Sequence, residues 1–177
     1  MKNIKLTTER LILREIRKSD WKDVHEYAVD PDVYKFMPWG PNTIEDTKNY
    51  IQRAIDSRQE VPRTNFELAI ILKSNQKQIG GCGITVSDAG NQQGWIGYCL
   101  NKNFWGQGYV TEASIKLLEF GFEQLNLHRI YATCDTKNIG SARVMEKIGM
   151  QREGHMRDDK LIRKKWRDSF LYAVIKQ

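Results

Sequence analysis

A strand followed by a glycine-rich turn and an amphipathic helix occupies residues 94–122, and the remaining segments must pack around this unit. We predict the strand at residues 95–100 and the turn at residues 105–108. Beyond the turn, apolar residues recur at helical spacing. They are Val110, Ala113, Leu117, Leu118, Gly121, Phe122 and Leu125. A strand, a turn and a helix in this order are typical of proteins in which helices pack on the faces of a sheet.

The start of this predicted helix is suited to binding a phosphate group. The first amide N–H groups of a helix have no intrahelical acceptor, and the aligned peptide dipoles add partial positive charge there. Gly106 and Gly108 lack a Cβ, so a ligand can approach the backbone closely. Alternatively, these glycines only shape the connection. The stretch contains neither the GxGxxG pattern of dinucleotide-binding proteins nor the GK[ST] of a P-loop.

Length and composition limit the class of protein. A chain of 177 residues suffices for one domain with one core, so residues 1–177 are treated as a single domain. Hydrophobic residues make up 40% and charged residues 28%, as in ordinary soluble proteins. No apolar run approaches the roughly 18 residues of a membrane span. The first residues lack a signal-peptide pattern, so we expect a cytoplasmic protein with no membrane partner.

Charge and cysteine content narrow the chemistry further. The net charge of +6 fits an anionic ligand, an acidic partner or ribosomal surroundings, or simply a basic surface. The densest basic run, at residues 163–167, is short, and we expect no direct nucleic-acid binding. Cys82, Cys99 and Cys134 lack metal-ligand spacing, and the histidines are scattered. We therefore expect reduced, packed thiols and no metal, with a nucleophilic cysteine as the alternative.

The remaining hydrophobic pattern predicts elements on both sides of the central unit. Further strands are predicted at residues 10–16, 66–72, 78–87 and 129–134, and near residues 151–157 and 166–175. Thr43 and Asp46 resemble the capping box of a helix, while Asn138 and Gly149 suit the start and the stop of another. The order β-α-α-β-β-β-α-β-α-β-β predicts an α/β fold (α+β in some schemes) with one mixed sheet flanked by helices.

The segment FWGQGYVTEA resembles the acetyl-coenzyme A loop of the GNAT N-acetyltransferases, in the form found in the ribosomal-protein (RimJ/RimL-type) branch. The general loop reads Q/R-x-x-G-x-G/A, and two registers fit this chain. One uses Asn103, Gly106 and Gly108, and the other uses Trp105, Gly108 and Val110. We prefer the second, because it fits the distance from the preceding strand. Val110 then stands where Gly or Ala is usual, a departure that would narrow the pocket slightly.

Three further segments carry the same resemblance to the family. TERLILREI near the start and WRDSFLYAV near the end are similar to its first and last strands. The pattern N-x-x-S-x-x-V-M-E-K-x-G-M, which begins at Asn138, is similar to its second coenzyme motif. The resemblance therefore extends over nearly the whole chain. It implies the GNAT fold, acetyl-CoA as cosubstrate without a metal, and transfer of an acetyl group to a primary amine.

The resemblance also assigns the coenzyme contacts. The backbone of Tyr98, Cys99 and Leu100 would pair with the pantetheine arm as an added strand does, with an N–H near Leu100 facing the acetyl oxygen. Asn138 would bond to the pantetheine or only cap its helix, and Lys147 would meet a phosphate or only be solvated. Backbone N–H groups of the turn and the first helical residues would hold the pyrophosphate. These belong to Gly106, Gln107, Gly108, Tyr109, Val110 and Thr111.

The groups that move protons differ from the usual family pattern. Many GNAT enzymes place a tyrosine seven residues after the motif asparagine, as general acid toward the thiolate. Met145 stands there in this chain, and a thioether cannot donate a proton. Ser141, one helical turn from Asn138, is the substitute by position, unless it only packs or caps. Glu112 and Glu67 are the candidate bases, although Glu112 in a first helical turn also suits the helix dipole structurally.

The acceptor is inferred from amine chemistry. A peptide α-amine has a pKa of about 7.7–8.0 and is partly neutral at pH 7, whereas a lysine amine near 10.4 needs more assistance. This favours a protein N-terminal α-amine, with a small amine or an antibiotic as the rival acceptor. A coenzyme-binding module without catalysis is the alternative class. Phe36, Met37 and Trp39 either line the acceptor pocket or fill the core, and a homodimer is a further expectation.

Overall fold

A computed structural model describes residues 4–177, in which eight strands form one sheet flanked by helices. The strands are β1 (Lys5–Thr7), β2 (Leu11–Glu15), β3 (Asn65–Leu72), β4 (Gln78–Asp88), β5 (Gln93–Leu100), β6 (Arg129–Asp135), β7 (Gln151–Ile162) and β8 (Lys165–Ile175). The helices are α1 (Trp21–Ala28), α2 (Pro31–Tyr34), α3 (Ile44–Asp56), α4 (Tyr109–Glu123) and α5 (Ile139–Lys147). The sheet order is β1-β2-β3-β4-β5-β6-β8-β7. The predicted mixed sheet flanked by helices is confirmed.

Each face of the sheet packs on its own set of helices, because side chains alternate along every strand. On one face, Leu68 and Ile84 belong to a core cluster with Leu117 of α4. On the other face, Ala69 clusters with residues of α1 and α3, among them Ile51. We call these the α4/α5 face and the α1/α3 face. Among the helices of residues 4–177, none is long and apolar enough to span a membrane.

Helix α4 lies very close to the sheet, and Gly121 permits this approach. A Cβ at this position would stand 2.6 Å from Ile84 Cδ1 and 2.7 Å from Ile130 Cδ1. One helical position earlier, Phe120 packs edge-on against Phe66 of β3, with ring centroids 5.6 Å apart. The seating of α4 in turn fixes where its first residues stand relative to the end of β5.

The sheet opens into a gap at its centre. Strands β5 and β6 are parallel, and their paired residues within 4–177 end at Trp95 and Tyr131. Beyond this point β5 continues beside β4 as far as Leu100, while β6 continues beside β8 as far as Asp135. The two strands therefore diverge, and each presents an edge to the space between them.

Several elements differ from the sequence prediction. Strand β1 and the short helix α2 were not predicted; in α2, Asp30 accepts a hydrogen bond from the N–H of Asp32, and Pro31 occupies a first-turn position that it tolerates. Strand β7 runs five residues beyond the predicted residue 157, to Ile162. Arg163 and Lys164 then turn the chain with φ of 48° and 62°, as in a tight hairpin. The capping box of Thr43 and Asp46 is confirmed.

Candidate functional site

The turn before α4 presents a row of free amide groups. Gly106 and Gly108 have φ of 75° and 79°, and the first bond that closes the helix runs from Glu112 N to Gly108 O at 3.0 Å. Within residues 4–177, the backbone N–H groups of Gly106 through Thr111 have no acceptor. A row of such groups at the positive end of a helix dipole is suited to an anion.

Arg10 holds this turn in place from the neighbouring hairpin. Its Nη1 donates to Gln107 O at 3.0 Å, its Nε donates to Glu112 Oε2 at 2.6 Å, and its guanidinium lies 4.5 Å from the centre of the Tyr109 ring. Thr8 Oγ1 donates to the other carboxylate oxygen of Glu112 at 2.5 Å. This role of Arg10 was not predicted from the sequence, because no spacing pattern pointed to a contact so distant along the chain.

Glu112 is engaged by both of its carboxylate oxygens. Burial raises its pKa, but the hydrogen bonds from Thr8 and Arg10 outweigh this effect, so the net shift is downward. Glu112 also does not line the gap between β5 and β6 at the centre of the sheet. These observations favour the structural alternative for Glu112 over the predicted role as a base.

The end of β5 is tied to the same turn. Trp105 Nε1 donates to Leu100 O at 2.9 Å. Buried Asn101 accepts from Asn103 N at 3.0 Å and donates to Glu26 Oε1 at 2.8 Å. Strand and turn are therefore held in a fixed relation, as a ligand that contacts both requires.

Two residues of β5 direct their main-chain groups into the central gap. Asn101 N donates to Ile79 O at 2.8 Å. This bond determines which residues of β5 direct their main-chain groups toward β4. Because the pattern alternates along an antiparallel pair, Cys99 faces Gly81 of β4, whereas the N–H groups of Tyr98 and Leu100 point away from β4. This register directs the polar main-chain groups of Cys99 toward β4 and so favours Tyr98 and Leu100 over Cys99 for the predicted backbone contact.

A cleft of about 1120 Å³ occupies the gap and opens to both faces of the sheet. From the α4/α5 face it is lined by Tyr98, Asn138, Ser141 and Met145; from the α1/α3 face it is lined by Tyr27, Tyr50, Glu67, Phe36, Met37 and Trp39. The predicted acceptor residues thus stand at this cleft and are partly buried. The turn residues 106–111 and exposed Lys147 are not part of its lining.

Tyr98 and Ser141 form a pair at the cleft. Tyr98 Oη lies 2.9 Å from Ser141 Oγ and donates to Ser141 O at 3.1 Å. Burial raises the pKa of Tyr98, so its phenol stays protonated at neutral pH. Asn138 accepts from Ser141 N at 3.2 Å, which confirms it as the cap of α5. Only the backbone of Tyr98 was predicted to take part, and its phenol was missed, although alternation along β5 could have placed that side chain on the α4/α5 face.

The β7–β8 hairpin forms hydrogen bonds to the segment that carries Phe36, Met37 and Trp39. Arg163 Nη2 donates to Tyr34 O at 2.9 Å and to Trp39 O at 2.8 Å. Arg167 Nη1 donates to Lys35 O at 3.1 Å and to Asp135 Oδ2 at 3.0 Å. From the sequence these arginines were recognised only as part of a basic run, because nothing in it indicated that the hairpin reaches this segment.

Metal and thiolate chemistry find no support at the site. Within residues 4–177, no group of three or more His, Cys, Asp or Glu side chains could hold a metal ion. The three cysteines are free in this part of the chain. Burial raises the pKa of Cys99 to about 12 and that of Cys134 to about 11, so both are protonated thiols at neutral pH.

Comparisons with known proteins agree with this geometry. Residues 10–151 match the model of the Acetyltransferase (GNAT) domain. The chain is 38% identical over 174 residues to the uncharacterized N-acetyltransferase YnaD of Bacillus subtilis (strain 168), with 97% of each chain covered. It is similar to the crystal structure of a GNAT-family acetyltransferase from Bacillus anthracis, at 35% identity, a TM-score of 0.86 and coverage of 97% and 98%.

A more distant structure shares the fold and holds the coenzyme. RimL, a ribosomal L7/L12 alpha-N-protein acetyltransferase in complex with coenzyme A, has a TM-score of 0.86 at 20% identity, with 97% of this chain and 98% of that chain covered. At this identity the likeness concerns the fold alone. The family match over residues 10–151 and the similarity to YnaD along the chain establish that this protein belongs to the GNAT N-acetyltransferase family.

Proposed function

We propose that this protein transfers the acetyl group of acetyl-CoA to a primary amine, and that a protein N-terminal α-amine is its preferred acceptor. The observation that carries the proposal is the row of free amide N–H groups from Gly106 to Thr111, next to the open edge of β5. The residues present fit the coenzyme. A Cβ at Gly106 would meet no protein atom within 4 Å, so the backbone there is open to a ligand.

The chain offers a separate group for each part of the coenzyme. The amide row would hold the diphosphate, and the edge at Tyr98 and Leu100 would pair with the pantetheine amides. Asn138, which keeps its side-chain amide nitrogen for a ligand while its oxygen caps α5, would add a hydrogen bond. Lys147 on the exposed side of α5 would meet a phosphate. Bound acetyl-CoA supplies an acyl group activated as a thioester.

The residues at the gap have two tasks in the transfer. The N–H of Leu100, directed away from β4, would donate to the acetyl oxygen as negative charge develops on it. The pair of Tyr98 and Ser141 would deliver a proton to the departing sulfur, because the phenol is protonated and the serine hydroxyl lies 2.9 Å from it. This pair stands in for the tyrosine that Met145 replaces.

An α-amine acceptor is supported by its low pKa, because it loses its proton more easily than a lysine amine does. A second support is that RimL, which is named for an alpha-N-protein activity, has the same fold. A small polyamine is the second candidate, and one observation favours it. Four carboxylates line the cleft, on Asp46, Glu67, Asp135 and Asp159. Three basic side chains, on Arg53, Lys160 and Arg167, also line the cleft and offset part of this negative charge.

Release of free thiol from acetyl-CoA, measured across a panel of amines, tests the proposal. The panel contains short peptides with a free N-terminus, the same peptides with a blocked N-terminus and a free lysine, spermidine and an aminoglycoside. We expect turnover with the free peptides and a mass increase of one acetyl group at the N-terminal residue. Turnover with spermidine alone would transfer the assignment to small amines. Tight binding of coenzyme A with no turnover on any amine would contradict the enzymatic proposal and indicate a binding module.

A further inference from the structure

We propose that Glu67 accepts the proton that the acceptor amine releases, on the face of the sheet opposite to the Tyr98–Ser141 pair. This inference rests on the proposed function, since it names the base of that reaction. It is carried by the position of the carboxylate in the cleft, by the open space in front of it and by the neutral side chains around it.

Space in front of Glu67 arises from glycines on the adjacent strands. Glu67 of β3 pairs with Gly83 of β4, which pairs with Gly97 of β5. A Cβ at Gly83 would stand 3.0 Å from Glu67 Oε2, so the carboxylate extends over this glycine toward the gap. Any larger residue at Gly83 would displace it. The two glycines thus leave a path from Glu67 toward the edge of β5, where the thioester would lie. The Trp95 ring borders this path, since its Cζ3 lies 3.5 Å from where a Gly97 Cβ would stand.

The polar groups packed around Glu67 are neutral. Tyr50 of α3 donates to Glu67 Oε2 at 3.3 Å, and burial raises the pKa of Tyr50 well above its usual value. Tyr27 of α1 and the thiol of Cys82 are further titratable groups near Glu67, and burial raises the pKa of each. None of these groups carries a charge at neutral pH that would neutralise the carboxylate.

The environment of Glu67 matches the needs of a base. Burial raises its pKa, and the hydrogen bond from Tyr50 lowers it by less. A carboxylate with a raised pKa is a stronger base than an ordinary glutamate. Two of the other cleft carboxylates are engaged, since Asp46 binds Thr43 and Asp135 binds Arg167, and Asp159 is exposed on β7. Glu112 binds Arg10 outside the cleft.

In the proposed step one bond to the acetyl carbon forms, one breaks and two protons are transferred. The amine nitrogen forms a bond to the acetyl carbonyl carbon, and one N–H proton passes to the carboxylate of Glu67. The carbon–sulfur bond breaks, and its electron pair leaves with the sulfur, which takes a proton from the Tyr98–Ser141 pair. Glu67 then returns its proton to solvent through the open cleft, and the Tyr98–Ser141 pair regains one.

The pH dependence of kcat/KM tests the assignment. A wild-type enzyme that needs both a neutral amine and an ionised Glu67 should show an acid limb with a limiting slope of about 2 in log(kcat/KM) against pH. Glu67→Gln should lower kcat by about 10²-fold or more and reduce this slope to about 1. Exposed Glu119, on the outer side of α4, supplies the matched control, since Glu119→Gln removes the same charge and should leave both quantities unchanged.

A second readout needs neither coenzyme nor amine. An infrared titration of protein with ¹³C-labelled glutamate should contain a carboxylate that titrates above the ordinary glutamate range, and Glu67→Gln should remove it. Binding of coenzyme A and the thermal transition serve as checks of folding. If Glu67→Gln does not fold, Glu67→Asp, which shortens the side chain by one methylene, should lower kcat while it preserves the slope of about 2.

Three results would overturn the assignment. Glu67→Gln could retain the wild-type kcat, it could raise only the KM for the amine with an unchanged slope, or the infrared titration could lack the shifted carboxylate. A wild-type enzyme that acetylates no amine would instead contradict the proposed function itself. The two failures are therefore distinguishable.

Discussion

Substitution of Gly106 by alanine separates the conformational role of the turn from its role in binding. Gly106 has φ of 75°, a backbone conformation that costs an L-residue about 1–2 kcal/mol. A Cβ at this position would meet no protein atom within 4 Å, so no steric cost within the protein is added. Gly106→Ala should therefore lower the melting temperature by roughly 2–8 °C, given about 2–4 °C per kcal/mol for a protein of this size.

Loss of coenzyme affinity should exceed this conformational effect. The new methyl group would occupy the space in front of the free amide row and displace the diphosphate from one or more N–H groups. Each hydrogen bond to a charged group contributes about 1.5–3 kcal/mol, so the Kd for coenzyme A should rise by about 10–100-fold. Isothermal titration calorimetry measures the affinity, and differential scanning fluorimetry measures the melting temperature.

Gly149 supplies a matched control for Gly106. It follows α5 with φ of 85°, and a Cβ there would also meet no protein atom within 4 Å. Gly149→Ala should cost a similar amount of stability and leave the Kd for coenzyme A unchanged. If both variants bind coenzyme A as tightly as the wild type while both lose stability, the turn at 106–111 does not hold the coenzyme, and the reasoning is refuted.

Four further outcomes are expected at the same site. Arg10→Ala, which frees Gln107 O, should raise the KM for acetyl-CoA several-fold with little change in kcat. Ser141→Ala and Tyr98→Phe should each lower kcat while the affinity for coenzyme A barely changes; an unchanged kcat would remove that residue from the mechanism. Arg163→Ala, which releases the backbone of Tyr34 and Trp39, should raise the KM for the amine and not that for acetyl-CoA. Because the pKa of Glu112 is lowered on folding, its contribution to stability should be present above about pH 4.3 and be lost as the pH falls, and a pH series of melting temperatures on Glu112→Gln checks this.

The central unit could be predicted from the sequence because its signals are local. Strand β5, the turn and α4 follow from a short apolar run, two glycines and a stripe at helical spacing, and each lies within two residues of its predicted bounds. The cap at Asn138 and the stop at Gly149 are likewise local, and the structure confirms both. Such features depend on backbone conformations that a few adjacent residues dictate.

Contacts between distant segments could not be predicted in this way. Arg10 reaches Gln107 across 97 positions and Arg163 reaches Tyr34 across 129, and neither pairing has a signature in sequence spacing. The extent of the β7–β8 hairpin was missed because its turn places Arg163 and Lys164 at positive φ, whereas glycine or asparagine is the usual signal. The main-chain direction of Cys99 could not be predicted because it depends on which residues of β5 bond to β4, and the hydrophobic pattern does not report which residues those are.

The divergence of β5 and β6 divides the proposed chemistry between the two faces of the sheet. Alternation places the Tyr98 side chain on the α4/α5 face, beside Ser141, and places Glu67 with Ala69 on the α1/α3 face. A thioester laid along the β5 edge would then have its sulfur near the protonated phenol and its carbonyl carbon open to an amine from the opposite side. The group that gives a proton and the group that takes one are separated by the thickness of the sheet, so neither neutralises the other. A closed sheet would block this route, which is why the end of β5–β6 pairing at Trp95 and Tyr131 matters as much as the identity of any side chain.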